Sequence, residues 1–392
     1  MTTIGTGRAM PSSPEPWNSR PSIARCSDRF DNDGIAGALM TVMATVTDLR
    51  QDEGRAACAS VSALRVLYLF PGRPEGSAMI FAKKQVEAMG TLGVAAEAFC
   101  LESRTDLSGL RRDASRLRDV IASFRPDLLH AQYGTMTAFF ATVAANVPMV
   151  VTFRGSDLNP APSDPWLRSL AGRLLSHLAA RRAAGLICVS EQLKRRLWWG
   201  RERALVLPSG VDIELFQPHP QAEARRELGW SQEERIVLFN AGLSPMVKRE
   251  DLAQAAVLEA ERLCGRITVV RLDGFVPQRR VVAMMNGADC LLLTSDWEGS
   301  PTIVQEALAC NLPVVSVDVG DVRERLLGVT PSVIAERSPS ALAQGLCEVL
   351  RRRSRSNGRT AAMPVAQVRI AEQTVALYRE VLTRLVRGGA AC

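Results

Sequence analysis

From residue 64 onward, short apolar runs bounded by turn residues alternate with longer stretches whose apolar positions recur every three or four residues. The runs 64–70, 94–99, 127–134, 149–153 and 185–190 read as strands, and 78–89, 107–124, 135–145, 167–182 and 191–197 between them read as helices. A Pro-containing linker at 216–220 leads to a second series. Its strands are predicted at 235–240, 267–272, 290–295 and 313–317, and its helices at 251–263, 279–285 and from 301. The arginine-rich run 351–355 reads as a solvated loop, and 365–386 as a long helix. Such alternation predicts parallel sheets covered by helices on both faces, because a parallel strand pair needs a crossover long enough to hold a helix. The expected class is α/β, with two Rossmann-like, doubly wound domains at 61–213 and 214–363 followed by a helix at 364–392. Residues 1–60 are Pro- and Ser-rich and read as an irregular extension with one short helix near 36–46. Met40 or Met43 is an alternative start.

Composition adds an ordinary globular mixture, 47% hydrophobic and 23% charged over 392 residues, enough for two cores. A net charge of +7 favours anionic partners without choosing among them. Nine scattered cysteines, an odd number with no CxxC, read as buried thiols, and three distant histidines make a zinc site improbable. No apolar run reaches the ~18 residues that a membrane span needs. The nearest, 136–153, is broken by Asn146 and Pro148. The expected location is cytoplasmic, peripheral at the inner face of a membrane. Lys194, Arg195, Arg196 and Arg201 around Trp198-Trp199 suggest docking on an anionic lipid surface. Nucleic acid is not an expected partner, since stacking aromatics are not interleaved with the basic residues elsewhere.

The candidate chemistry centres on Glu298-Gly299-Ser300-Pro301-Thr302-Ile303, between an apolar strand and a helix. Ser300 suits an N-cap and Pro301 a first helical position, so N–H groups of the first turn would face the crevice beyond the strand and suit a phosphate. Glu298 and Glu306, separated by seven residues, are acceptors for sugar hydroxyls. The loop 71–77 lacks both the GxGxxG and the P-loop pattern.

Tandem domains with this acidic turn resemble the GT-B glycosyltransferases, and more narrowly the retaining glycosyltransferase family 4, over about residues 64–386. The resemblance is carried by the Glu298/Glu306 pair, Val206 to Phe216, the Lys248 turn, Val189-Ser190-Glu191, Thr152 to Asp157 and Pro313 to Glu324. It implies a central cleft between the domains, with the C-terminal helix crossing back to the first. It also implies transfer of a sugar from a UDP or GDP sugar to a sugar or lipid-linked acceptor in cell-surface polysaccharide or glycolipid synthesis. No metal or other cofactor is implied, the nucleotide sugar being a co-substrate. By the same resemblance Lys248 and Glu298 are catalytic, and Arg249 assists at the diphosphate. Ser300, Pro301, Thr302, Ile303, Gly76 and Gly242 line the donor, and Glu306 grips the ribose. Arg154 and Asp157 stand on the acceptor side. Two positions depart from the family pattern: Gly242 replaces a common Arg, for which Arg249 or Arg73 would compensate, and Arg154 replaces a common His. The alternatives are a catalytically weakened GT-B scaffold and a GT-B sugar epimerase or phosphorylase.

Overall fold

The computed structural model describes residues 63–73, 79–160, 165–242 and 245–389. Gly76 and the expected helix near 36–46 lie outside them. Two all-parallel sheets organise the chain. The first contains β1 (Leu64–Pro71), β2 (Val94–Leu101), β3 (Leu128–Ala131), β4 (Met149–Phe153), β5 (Gly185–Cys188) and β6 (Ala204–Val206). The second contains β7 (Ile236–Asn240), β8 (Thr268–Leu272), β9 (Cys290–Leu293), β10 (Val314–Val317) and β11 (Val333–Ala335). Their orders are β2-β1-β3-β4-β5-β6 and β11-β10-β9-β7-β8. In each, the first strand lies between the second and third, so the winding reverses there and the loops on either side diverge to leave a crevice at the carboxyl ends.

Strand alternation divides the first domain's core in two. Leu67 and Leu69 point to one face, with Leu129, Val151 and Phe153, and meet Leu117, Ala138 and Ala179 from the covering helices. Val66, Tyr68 and Phe70 point to the other, and what covers them includes Ala371, Val375, Tyr378 and Val381. Those four residues belong to helix Gln367–Gly389, so this helix crosses back onto the first domain as expected. Val211 and Gln367 anchor the crossing, with Gln367 N–H donating to Val211 O at 2.8 Å.

Several elements lack a strong sequence signal: helix Gln221–Leu228, strands β6 and β11, and helix Pro339–Arg352. The last overturns the reading of Arg351 and Arg352 as loop. Those two arginines remain exposed, whereas Arg355 is half-buried. Its guanidinium donates to Met285 O at 3.0 Å, Ala288 O at 2.8 Å and Cys310 O at 2.8 Å. These carbonyls lie at the ends of helices Gln278–Gly287 and Thr302–Ala309, where they lack intrahelical partners and a buried cation can satisfy several at once. Burial lowers Arg355 to about 10. Among the described residues no helix is long and apolar enough to cross a membrane.

Candidate active site

β7 and β9 pair directly, from Val237–Cys290 to Phe239–Leu292, although β8 separates them in sequence. The loops leaving their carboxyl ends therefore meet. β7 leads to the short helix Pro245–Lys248, and β9 leads to the Glu298 turn. Asp296 N–H donates to Val247 O at 2.9 Å, and the Thr294 hydroxyl donates to Lys248 O at 2.7 Å. With the two loops tied, Lys248 Nζ comes to 2.6 Å from Glu298 Oε1. These side chains are 16% and 15% exposed, so water screens their attraction far less than in a surface pair.

The turn itself is held on two sides. A β-carbon built on Gly299 would lie 1.9 Å from Arg154 O, and one on Gly320 would lie 2.8 Å from Gly299 O. The chain thus passes between the loop after β4, in the first domain, and the loop after β10, in the second. Ser300 differs from its expected role as a cap. Its hydroxyl donates to Asp321 Oδ2 at 2.9 Å and accepts from Gln305 Nε2 at 2.8 Å. A carboxylate is a stronger acceptor than the hydroxyl's alternatives, and the helix starts one residue later than expected, at Thr302 with Pro301 in the cap position. Burial pushes the Asp321 carboxyl up to about 6, against the pull of Arg325, whose Nε stands 3.2 Å away. Ile303 is buried in the first turn, Thr302 is half-buried beside it, and Glu306 is half-buried one turn on.

Arg249 is placed less favourably for a diphosphate. Its guanidinium pairs with Asp251 at 2.8 Å and Asp296 at 3.0 Å, so two carboxylates already balance its charge. Arg337 shares Asp296 at 3.2 Å. Gly242 has φ +53°, and a β-carbon there would lie 3.3 Å from Lys248 Cε. A long cationic side chain would be strained in its backbone and would crowd Lys248, which gives a physical reason for glycine here. Arg73, two residues past the end of β1, is exposed.

In the first domain Asp157 is fully buried. Its carboxylate accepts from the N–H groups of Gly134 at 3.0 Å, Arg154 at 3.0 Å and Gly155 at 2.8 Å. Burial pushes the carboxyl up while these donors pull it down. Asp157 therefore ties the loops after β3 and β4 together and has no surface for an acceptor, which corrects its expected role. Arg154 is also turned inward. It donates from Nε to Gln132 O at 3.0 Å, from Nη1 to Ser209 Oγ at 3.3 Å and from Nη2 to Gln85 Oε1 at 3.2 Å and to Gln132 Oε1. Burial lowers it to about 10, while Asp157 raises it.

Beneath Arg154 stands a group to which sequence reasoning gave no role. The Tyr378 hydroxyl and Gln132 Nε2 both approach His130 Nδ1, at 2.5 and 3.1 Å. The Gln132 amide N–H is a donor, which makes this nitrogen the acceptor, so the proton sits on Nε2, which donates to Thr152 Oγ1 at 2.7 Å. Burial lowers His130 to about 3, so the ring is neutral. No spacing rule joins Tyr378 to His130, 248 residues apart.

Residues 53–210 match the model of the glycosyl transferase 4-like domain, and residues 230–352 match that of the glycosyl transferases group 1. The chain belongs to the GT-B glycosyltransferases. It is 27% identical over 269 residues to a D-inositol 3-phosphate glycosyltransferase of Thermobispora bispora, covering 58% of this chain and 63% of that one. It is 22% identical over 238 residues to an N-acetyl-alpha-D-glucosaminyl L-malate synthase of Bacillus anthracis, covering 54% and 61%. The chain thus spans less than two thirds of the length of these curated relatives. Sucrose-phosphate synthase from Thermosynechococcus elongatus superposes with TM-score 0.68 at 16% identity, over 82% of this chain and all of that one. Anabaena HepE, solved with UDP and glucose, superposes with TM-score 0.62 at 19% identity, over 81% and 100%. At such identities these two establish the shared fold alone.

Proposed function

We propose that this GT-B chain transfers a sugar from a UDP or GDP sugar to a hydroxyl acceptor, with the anomeric configuration retained. The observation that carries the reading is the Lys248–Glu298 pair at the meeting of the loops after β7 and β9, beside the start of helix Thr302–Ala309. An arriving diphosphate offers Lys248 a doubly charged alternative to Glu298. Released, Glu298 is free to accept hydrogen bonds from the sugar and to face its developing positive charge. The anomeric C–O bond to the diphosphate breaks, the acceptor oxygen bonds to the same face, and its proton passes to the departing phosphate oxygen. Glu306 holds the ribose, and no metal takes part. HepE, which shares the fold, is solved with UDP and glucose, and UDP is the first nucleotide to test.

The acceptor is read as sugar or lipid-linked, for cell-surface polysaccharide or glycolipid synthesis. A lipid surface fits the first domain, where Trp166, Leu167, Leu170 and Leu174 of helix Trp166–Arg182 and Trp198 are exposed among arginines. The experiment is mass-spectrometric detection of transfer, after a nucleotide panel has identified the donor. Lys248→Ala and Glu298→Ala are each expected to abolish transfer with folding intact, and wild-type transfer is expected to survive EDTA. Full transfer by both variants refutes the assignment. A nucleotide-binding scaffold without transfer is the second reading, favoured by the glycine at 242, and nucleotide binding with no product would establish it.

A further inference from the structure

The first domain has a hollow of about 290 Å³ that the donor-side reading does not use. Its polar lining comes from the carboxyl ends of β2, β3 and β4 and from one helix: Arg104 and Thr105 after β2, Tyr133 and Thr135 after β3, Ser156 after β4, and Arg168 and Ser169 of helix Trp166–Arg182. Among the described residues no carboxylate lines it, and neither Arg104 nor Arg168 has an ion-pair partner. The acids near Arg104 are engaged elsewhere: Glu102 with Arg116 at 3.2 Å, and Asp106 with the first-turn N–H of Gly109 at 2.7 Å and with Arg112 at 3.9 Å. Asp157, next to Ser156, spends its charge on backbone N–H groups. The hollow therefore sets two guanidinium groups with no ion-pair partner among the described residues beside five hydroxyls, two of which, Tyr133 and Ser156, hydrogen-bond to each other.

Resting on the glycosyl-transfer reading, we propose that this hollow is the acceptor subsite and that it takes a small hydroxylated acceptor carrying a phosphate monoester or a carboxylate. Guanidinium groups match such anions with paired, charge-assisted N–H donors, and the hydroxyls suit the alcohol groups of a polyol or sugar. The volume lies at the bottom of the roughly 300–1,000 Å³ range of small-molecule sites, which suits one ring and its anion. The position is also right for transfer. Ser156 follows Gly155, and a β-carbon on Gly155 would lie 3.4 Å from the nitrogen of Gly299, the residue after Glu298. An alcohol anchored by its anion near Arg104 and Arg168 is thus directed toward the donor turn. Because the helix that supplies Arg168 also exposes Trp166, Leu167, Leu170 and Leu174, the anion can be borne by a soluble molecule or by a lipid headgroup.

The test is calorimetric titration of the full chain with inositol monophosphate, inositol and malate, with UDP and GDP titrated separately, and flotation with phosphatidylinositol vesicles. Inositol monophosphate or malate is expected to bind where neutral inositol does not, and a soluble acceptor is indicated. Vesicle binding that the arginine variants lose indicates the lipid-borne form of the same anion. Arg104→Ala and Arg168→Ala should each weaken anion binding about tenfold or more, leave nucleotide binding unchanged, and be partly rescued by Lys. Equal binding of inositol and its phosphate, no binding of any anion by a chain that binds nucleotide, or anion binding untouched in the double variant would overturn the proposal. Failure to bind any nucleotide would instead strike the glycosyl-transfer reading on which it rests.

Discussion

Gly299→Ala isolates the closeness of the two domains from every other property of the site. Gly299 is absent from the glycines with positive φ, so alanine is compatible with its backbone and only space opposes it. The added carbon would stand 1.9 Å from Arg154 O, 2.8 Å from Arg154 C and 2.9 Å from Val189 Cγ2. The first two atoms are backbone and cannot turn aside. Ordinary carbon–oxygen contact begins near 3.3 Å, so the turn and the β4 loop must part by about 1.4 Å. Misplacement of about 1 Å between reacting groups costs on the order of 100-fold in rate. We expect kcat/KM for donor consumption to fall by about that factor, with nucleotide affinity changed little, because Lys248, Glu306 and the helix start all lie on the second domain. Separation relieves the overlap, so the melting temperature should drop less than the ~1–3 kcal/mol of a trapped overpacking would produce. Gly90→Ala is the control, since a β-carbon there meets nothing within 4 Å. A Gly299→Ala enzyme within twofold of the wild type would refute the idea that the reaction needs these loops in contact.

Asp321 makes a pH prediction. Folding raises its carboxyl from 3.8 to about 6, so the proton is bound more tightly in the native state and stability falls as pH rises through that window. The difference corresponds to at most about 3 kcal/mol. Asp321→Asn should therefore gain on the wild type between pH 4 and 6, measured as the difference of two urea midpoints, and a constant difference would remove the argument. Tyr378→Phe should cost about 1–3 kcal/mol, by removing the hydroxyl that links His130 and Tyr68 in a buried site, and should lower turnover more than nucleotide affinity. Equal stability would show that the hydroxyl is idle. Replacing Trp198 and Trp199 with Ala should weaken flotation with anionic vesicles, and undiminished flotation would remove the lipid surface from the proposal.

The sheets and the tandem organisation were legible because each rests on local pattern plus one topological rule, whereas the pairing of Lys248 with Glu298 emerges only where the loops after β7 and β9 meet. Leu107–Phe124 was readable to the residue, for it has Asp106 as an N-cap and a clear apolar period. What stayed hidden depended on distant partners. Ser300 looks like a cap until β10 brings Asp321 to it. Asp157 looks like a surface acid until three N–H groups from two loops converge on it. Arg355 sits in a polar run that reads as solvent-facing, yet it ends between two helices whose carbonyls only a folded core presents. Helix Pro339–Arg352 was missed although Ser338 caps it through Ala341 N–H at 3.2 Å, because its last turn is a run of arginines.

The returning helix has a consequence for how the protein is made. One face of the first sheet, with Val66, Tyr68 and Phe70, is closed by Ala371, Val375, Tyr378 and Val381. A ribosome must translate the whole second domain before that face can be covered. The earlier strands therefore wait with an apolar surface open, a target for chaperones or for aggregation. A chain released after residue 352 would keep both sheets and lack this cover. We expect it to accumulate as insoluble protein, while the same chain supplied with a peptide of residues 364–389 should recover solubility.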